Sequence, residues 1–242
     1  MITRTQSDAF SFLYDIDDAA SETHVIQQLR DHLVQFGIEY FIITGLPMPG
    51  GRLEPLVMAT YWPDGWWDRY MSCNYITHDP VGQNCYRTHQ MFDWDKAPVP
   101  EGIKVRAGLI MAEASEFGMP VGMSLPIHTE DGFQACVSFA SRNKVELDPH
   151  DRSAMELLGH AVHGHLRFIR GDKLKRSGTL TDREKEVITW MAAGKTLWEV
   201  SCILAISQHT AEKHLRAAAK KLGAVNKTHA VVEAIRYGQI SL

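Results

Sequence analysis

Apolar residues recur with two different periods along this chain, and the changes of period mark its elements. From Asp17 to Phe36 the apolar positions Val25, Leu29, Leu33 and Val34 stand near 3.6-residue spacing, which predicts a helix. The run IEYFIITGL (38–46) is β-branched and aromatic and closes in the turn cluster PMPGG, so it predicts a strand, and LVMATYW (56–62) predicts a second. Pro63 to Ser72 has the spacing of a short helix. Asp79-Pro80 restarts the chain after a break, with Asp as a cap and Pro in the first helical turn. A short strand near MFDW (91–94), a helix over 103–117, and two strands, MPVGMSLPIH and FQACVSFAS, joined by the turn TEDG, come next. A helix over 148–170 follows, acidic at its start and basic at its end, as the helix dipole favours. This order predicts an α+β fold whose N-terminal part is an α/β/α sandwich around a mostly antiparallel sheet.

The stretch GDKLKRSGT (171–179) is short, polar and bounded by glycines, the composition of a linker. Beyond it four short helical patterns follow, with Thr181 and Ser207 as N-caps and Gly194 and Gly223 as stops. Thr181 and Glu184 also have the spacing of a capping box. Across the tight turn Ala205-Ile206-Ser207 two helices meet as a helix-turn-helix. On a helical wheel the second places Ala211, Leu215, Ala218 and Leu222 on one side, and His209, Glu212, Lys213, Arg216 and Lys220 on the other. The predicted division is therefore 1–170 for the sandwich, 171–179 for the linker and 180–242 for an all-α four-helix domain.

Charge sharpens this division. The chain has a formal net charge of −4, yet residues 171–242 hold 12 Lys/Arg against 7 Asp/Glu. A basic module behind an acidic body suits a polyanion partner, and Arg, Lys and a helix N-terminus are the groups that meet bases and phosphates in DNA. A basic face is often only solvated; its place on the second helix of a helix-turn-helix favours DNA. Glu212 on that face is either a base reader or wrongly placed there, since a carboxylate facing phosphates is repelled. Without an 18-residue apolar run no membrane span is expected, and the start MITRTQSDAF lacks the pattern of a signal peptide, so the expected location is cytoplasmic.

Several chemistries find no support. The four cysteines stand apart without a CxxC pair and read as core or surface thiols. His160, His163 and His165 recur at helical spacing but lack an HExxH pattern and a completing carboxylate, so a surface or dimer-contact face is expected rather than a metal site. Gly194-Lys195-Thr196 fails as a phosphate loop because position 189 is Thr, not Gly. No activated nucleophile stands out, so no catalytic residue and no cofactor are expected.

The segment 180–240 resembles the LuxR/GerE-type helix-turn-helix. Its signature LTxRExEVLxWxAxGKTxxEIAxxLxIS, followed by TVxxHLxxxxxKL, is met at Glu184, Trp190, Gly194, Lys195, Thr196, Glu199, Ile206, Ser207, Thr210, His214, Leu215, Lys221 and Leu222. Ser201 and Ala211 replace the usual Ala and Val. Residues 20–170 resemble the autoinducer-binding domain of the quorum-sensing LuxR subfamily, at Trp66, Tyr70, Asp79, Pro80, Trp94, Phe117-Gly118 and Gly122. The resemblance implies a quorum-sensing transcriptional regulator rather than an enzyme. Its expected partners are an N-acyl-homoserine lactone, promoter DNA, a second copy of the chain in a homodimer, and RNA polymerase.

It also implies roles for single residues. Trp66 gives its indole N–H to the lactone carbonyl, Tyr70 its hydroxyl to the amide carbonyl, and Asp79 accepts from the amide N–H. Ser138 bonds the acyl amide or a 3-oxo group, and Trp94 packs against the ring; Trp62 and Trp67 have no counterpart in the family pattern, and one of them, taken as Trp62, is expected to cover the pocket. On the DNA side the expected contacts are Lys195, Thr196, Ser207, His209, Thr210, Glu212, Lys213, Arg216 and Lys220. Each has a plainer reading: Trp66 and Trp94 as core filler, Asp79 as a helix cap. An orphan regulator of the same architecture that binds DNA without acyl-lactone, or with another small ligand, is the runner-up, and a lactone-modifying enzyme a more distant alternative.

Overall fold

The computed structural model describes residues 11–16, 19, 21–47, 51–129, 133–170, 180–236 and 239–240. They fall into two compact units that divide at residues 171/172, with the short stretch Thr129–Phe133 grouping with the second. The expected linker 171–179 lies outside the described residues, as do 17, 18 and 20 of the first expected helix and 130–132 of the turn TEDG.

Helix α1 (Glu22–Leu33) begins where the Ser21 hydroxyl accepts the His24 N–H, and it buries Val25, Leu29 and Leu33. It is shorter than the expected 17–36. Ala19 stands outside any helix, and residues 34–36 tighten into a 3-10 turn that Gly37 ends at φ 70°. Strand β1 (Tyr40–Gly45) is buried at all six positions, which explains its unbroken apolar run. It lies between β2 (Val57–Tyr61) and β5 (Gln134–Ser141). With β4 (Val121–His128) and β3 (Phe92–Asp93) the sheet order is β2-β1-β5-β4-β3, antiparallel throughout.

The helices between the strands are trimmed by their caps. Helix α2 (Trp66–Ser72) starts three residues later than expected, because Gly65 enters the left-handed region at φ 80°. Helix α3 (Pro80–Cys85) is capped by Asp79 with Pro80 in its first turn, as expected. Helix α4 (Lys104–Glu116) and helix α5 (Pro149–Ile169) follow, the latter capped by Asp148, whose carboxylate accepts the His150 and Asp151 N–H groups.

Two layers cover the sheet. On one face α5 comes so close that a Cβ on Gly159 would stand 2.6 Å from Leu125 Cδ2, with Val137 and Phe139 next to it. On the other, Cys136 meets Cys85 of α3, and Ala140 joins a cluster with Trp66, Tyr70 and Ile110. Residues 137 and 139 therefore face one layer and 136, 138 and 140 the other, as strand alternation requires.

The C-terminal unit comprises α6 (Asp182–Ala192), α7 (Leu197–Ile203), α8 (Gln208–Lys221) and α9 (Lys227–Arg236). Thr181 and Glu184 form the expected capping box, and Thr196 with Glu199 forms a second. Gly194 and Gly223 end their helices at φ 80° and 65°, and Ala205 makes the tight turn at φ 53°. Leu180, Ile188, Ala218, Leu222, Ala230 and Ala234 form the core.

Candidate functional site

The crowded aromatics of residues 62–75 face inward. Trp66, Tyr70 and Tyr75 are buried, and Trp62, Phe117 and Trp94 pack against the same cluster. Ring centroids lie 5.8 Å apart for Trp66 and Tyr70, 5.3 Å for Trp62 and Tyr70, and 5.3 Å for Trp66 and Phe117. These are the tilted and edge contacts that aromatic quadrupoles favour. α2 places Trp66 and Tyr70 one helical turn apart, so both rings share its inner face.

Asp79 joins this cluster to the fold. Its Oδ1 accepts the Val81 N–H at 2.8 Å, and its Oδ2 accepts the Tyr70 O–H at 2.7 Å. The cap and the aromatic contact are thus made by different oxygens of one carboxylate. The residue keeps some open surface, but its carboxylate is enclosed, and that loss of solvent raises its pKa above the ordinary range. The Tyr70 hydroxyl and the Val81 and Gly82 N–H groups oppose the rise. Burial and the neighbouring Asp79 hold the Tyr70 phenol well above its usual value, so it remains a donor. The Trp66 side chain is almost wholly buried in this cluster, its ring set against Trp62, Tyr70, Tyr75 and Phe117.

A second polar group sits on the adjoining strands. Trp94 Nε1 lies 3.1 Å from both Ser124 Oγ and Ser138 Oγ, which are 2.8 Å from each other across the β4–β5 pair. Gly122 makes room for this indole: a Cβ there would stand 2.4 Å from Trp94 Cε2 and 2.6 Å from the Phe139 carbonyl oxygen. Ser124 is not singled out by any motif. Its signal is the hairpin register, which sets it opposite Ser138.

Trp62, Trp66, Tyr70 and Trp94 thus share one apolar cluster, with Asp79 bonded to Tyr70 and Ser138 to Trp94. A hydrogen-bonded edge supports them, where Tyr75 donates to Glu113 at 2.8 Å and Arg69 stands 3.3 Å from the same carboxylate. A cavity of about 460 Å³ reaches Trp94 and Gly122 from the side of Arg152, and a groove of about 810 Å³ runs between the end of α1 and residues 141–147. Neither is lined by Trp66, Tyr70 or Asp79.

In the C-terminal unit α8 has the two-sided character read from its sequence. Ala211, Ala218 and Leu222 are buried, while His209, Lys213, Arg216 and Lys220 are exposed. Glu212 is half-buried and pairs with Arg216 one turn on, so it offsets that cation. Ser207 caps α8 by accepting the Thr210 N–H at 3.0 Å, and its hydroxyl lies 2.8 Å from that of Thr210. The Thr196 hydroxyl is likewise engaged with Glu199, and Lys195 is half-buried beside it. Lys221 points away from this face and bonds Glu184 at 2.7 Å.

The expectation of a surface histidine face on α5 is corrected. His160 is exposed, but His163 is buried and His165 Nε2 lies 3.0 Å from the Ala19 carbonyl oxygen. Residue 163 follows Met155, Gly159, Val162 and Leu166 around the buried side of the helix.

An antiparallel α/β/α sandwich with a polar pair inside an aromatic cluster is one class of domain here, and a helix-turn-helix with a basic outer face is the other. Comparison with known families specifies the class. Residues 21–166 match the family described as autoinducer binding domain, and residues 178–234 the family described as bacterial regulatory proteins, luxR family. The chain belongs to the LuxR family of autoinducer-binding transcriptional regulators, which are not enzymes. It is 41% identical over 203 residues to the transcriptional activator protein BjaR1 of Bradyrhizobium diazoefficiens, covering 84% of each chain. It is 37% identical over 218 residues to the quorum sensing-dependent transcriptional regulator RpaR of Rhodopseudomonas palustris, covering 90% of this chain and 89% of that one. In fold it is similar to crystalline Escherichia coli SdiA, with a TM-score of 0.77 at 22% identity, covering 98% of this chain and 99% of that one. SdiA in complex with octanoyl-rac-glycerol gives a TM-score of 0.79 at 21% identity, covering 98% and 96%. No helix among the described residues is long and apolar enough to cross a membrane.

Proposed function

We propose that residues 1–170 bind an N-acyl-homoserine lactone, and that a homodimer presents two copies of α8, from a domain spanning 180–242, to two-fold promoter DNA. Residues 171–179 then link the two domains. The observation that carries the ligand reading is the enclosed Tyr70–Asp79 hydrogen bond inside the aromatic cluster of Trp62, Trp66 and Trp94. A secondary amide is complementary to that pair: its C=O takes the Tyr70 O–H and its N–H gives to Asp79, so one bond is exchanged for two. Trp66 then has the lactone carbonyl as its acceptor. Such matching is needed because a buried polar group left unpaired costs about 1–3 kcal/mol. Trp94 packs on the ring with Ser138 bonding the acyl amide or a 3-oxo group, and Trp62 closes the outer side.

On DNA, His209, Lys213, Arg216 and Lys220 stand on the open face of α8, with Glu212 positioning Arg216. Ser207 and Thr210 at its N-terminus, with Lys195 and Thr196, meet the backbone phosphates. The protein acts in the cytoplasm, where it regulates transcription together with RNA polymerase.

Two measurements test this reading. Full-length protein expressed with a mixed lactone supply is extracted and the extract analysed by mass spectrometry; an intact acyl-homoserine lactone near one per chain is expected. Footprinting then locates two protected half-sites about one helical turn apart. Protein that retains no lactone, and takes none up on titration, overturns the ligand assignment; a single protected half-site overturns the dimer.

A further inference from the structure

Cys85 and Cys136 are 51 positions apart in the chain, yet their sulfurs lie 3.4 Å from each other in the interior. Both are free thiols, enclosed with Leu46 and Phe92. Cys85 is the last residue of α3, the helix that Asp79 caps, and Cys136 lies two positions from Ser138 on the same face of β5. The other two cysteines, Cys73 and Cys202, are exposed.

We propose that Cys85 and Cys136 form a redox couple whose disulfide staples the Asp79-bearing helix to the Ser138-bearing strand and so restrains the proposed ligand site. Two S–H bonds break and one S–S bond forms, releasing two protons and two electrons. The electrons pass to a small diffusible oxidant, such as a peroxide, which is reduced to water, or a disulfide, which is reduced to thiols. Bonding brings the sulfurs from 3.4 Å to about 2 Å. That movement draws the end of α3 onto the sheet and fixes the helix that Asp79 caps against the strand that carries Ser138. The neighbouring Cys136 sulfur, burial and the charge of Asp79 all push the Cys85 thiol well above its ordinary range. Because the thiolate is the reacting form, the couple responds slowly near neutral pH and faster as pH rises.

The test uses the full chain with Cys73→Ser and Cys202→Ser, which removes competing surface thiols. After overnight treatment with diamide or hydrogen peroxide, non-reducing peptide mapping should show the segments of Cys85 and Cys136 joined, two hydrogens lighter than the separate peptides. Dithiothreitol should release the link, and further change of Cys85→Ser should abolish it. If the two thiols remain unlinked while a control disulfide forms under the same conditions, the couple is overturned. Amide hydrogen exchange of residues 80–85 reads the staple without ligand: slowing of about tenfold in the oxidised form is expected, and unchanged exchange overturns the restraint. The effect on the ligand rests on the lactone reading above. Lactone affinity should fall about tenfold on oxidation, and equal affinities overturn the regulatory role. If neither form takes up lactone, the ligand reading fails, while mapping and exchange still decide the couple.

Discussion

Asp79 is the residue on which both readings of the sequence meet. As a cap it is replaceable by Asn, since either side chain accepts an N–H. As the acceptor of an amide N–H it is not, because Asn offers a neutral acceptor and adds a donor beside the Tyr70 hydroxyl. Asp79→Asn should therefore lower lactone affinity about tenfold to a hundredfold, as expected for a lost charge-assisted bond. Titration of both proteins with one lactone checks this, and equal affinities would leave Asp79 as a cap only. Its raised pKa makes a separate claim about stability. In the folded protein Asp79 takes up its proton at higher pH than in the unfolded chain, so its charged form costs stability at neutral pH. That cost is relieved as pH falls through the folded pKa towards the ordinary value of 3.8. Over that interval urea unfolding of lactone-free protein should show wild type gaining stability relative to Asp79→Asn. Gly122 admits a plainer prediction. An added methyl group would meet both the Trp94 ring and a backbone carbonyl, and the backbone cannot yield. Gly122→Ala should cost about 1–3 kcal/mol and shift the Trp94 fluorescence, measured by thermal melting and emission spectra.

At the scale of elements, most of what could be read from the chain was carried by local rules. The caps at Thr181 and Ser207, the stops at Gly194 and Gly223, and the two faces of α8 depend on spacings of three or four residues, and they stand in the structure as the spacing predicts. The second capping box was equally legible, since Thr196 and Glu199 stand three apart before an apolar stretch. What depends on long-range pairing was not. Nothing local marks Ser124 as the partner of Ser138, or Cys85 as the neighbour of Cys136, because each meeting is made by strand register or helix docking. Glu184 shows both kinds. Its bond to the Thr181 N–H is local, while Lys221 arrives from 37 residues away. Burial alone would raise its pKa, but Lys221 and the Thr181 groups outweigh that and leave it lowered. A lowered folded pKa means stability present above the ordinary value of 4.5 and lost as pH falls through the folded value. Glu184→Ala should cost about 2–3 kcal/mol at pH 7, combining a cap with a charged hydrogen bond. The gap from wild type should close below pH 4.5; circular dichroism during urea unfolding measures it, and a gap independent of pH would assign the loss to packing.

For the whole molecule the uneven charge is the decisive quantity. Residues 171–242 carry the excess of Lys and Arg, while the chain as a whole is net negative, so the N-terminal body is acidic and is itself repelled by DNA. The helical unit has its own caps and its own apolar core, so residues 174–242 should fold alone and show a helical circular dichroism spectrum. Freed of the acidic body, that fragment should bind arbitrary DNA at least as well as the full chain at low salt, because that attraction follows net charge. Specific binding should behave in the opposite way. In the proposed homodimer the second α8 meets its half-site as an intramolecular event, and such linkage raises affinity by about 10²–10⁴ without any new contact. On a two-fold site at physiological salt the fragment should therefore bind about a hundredfold more weakly than the lactone-loaded full chain, with the deficit vanishing on a single half-site. Gel-shift titrations on both DNAs at matched salt measure the two ratios. A fragment that equals the full chain on the two-fold site would mean that α8 reads DNA one copy at a time, and the N-terminal body would then have to act on transcription by some route other than pairing the helices.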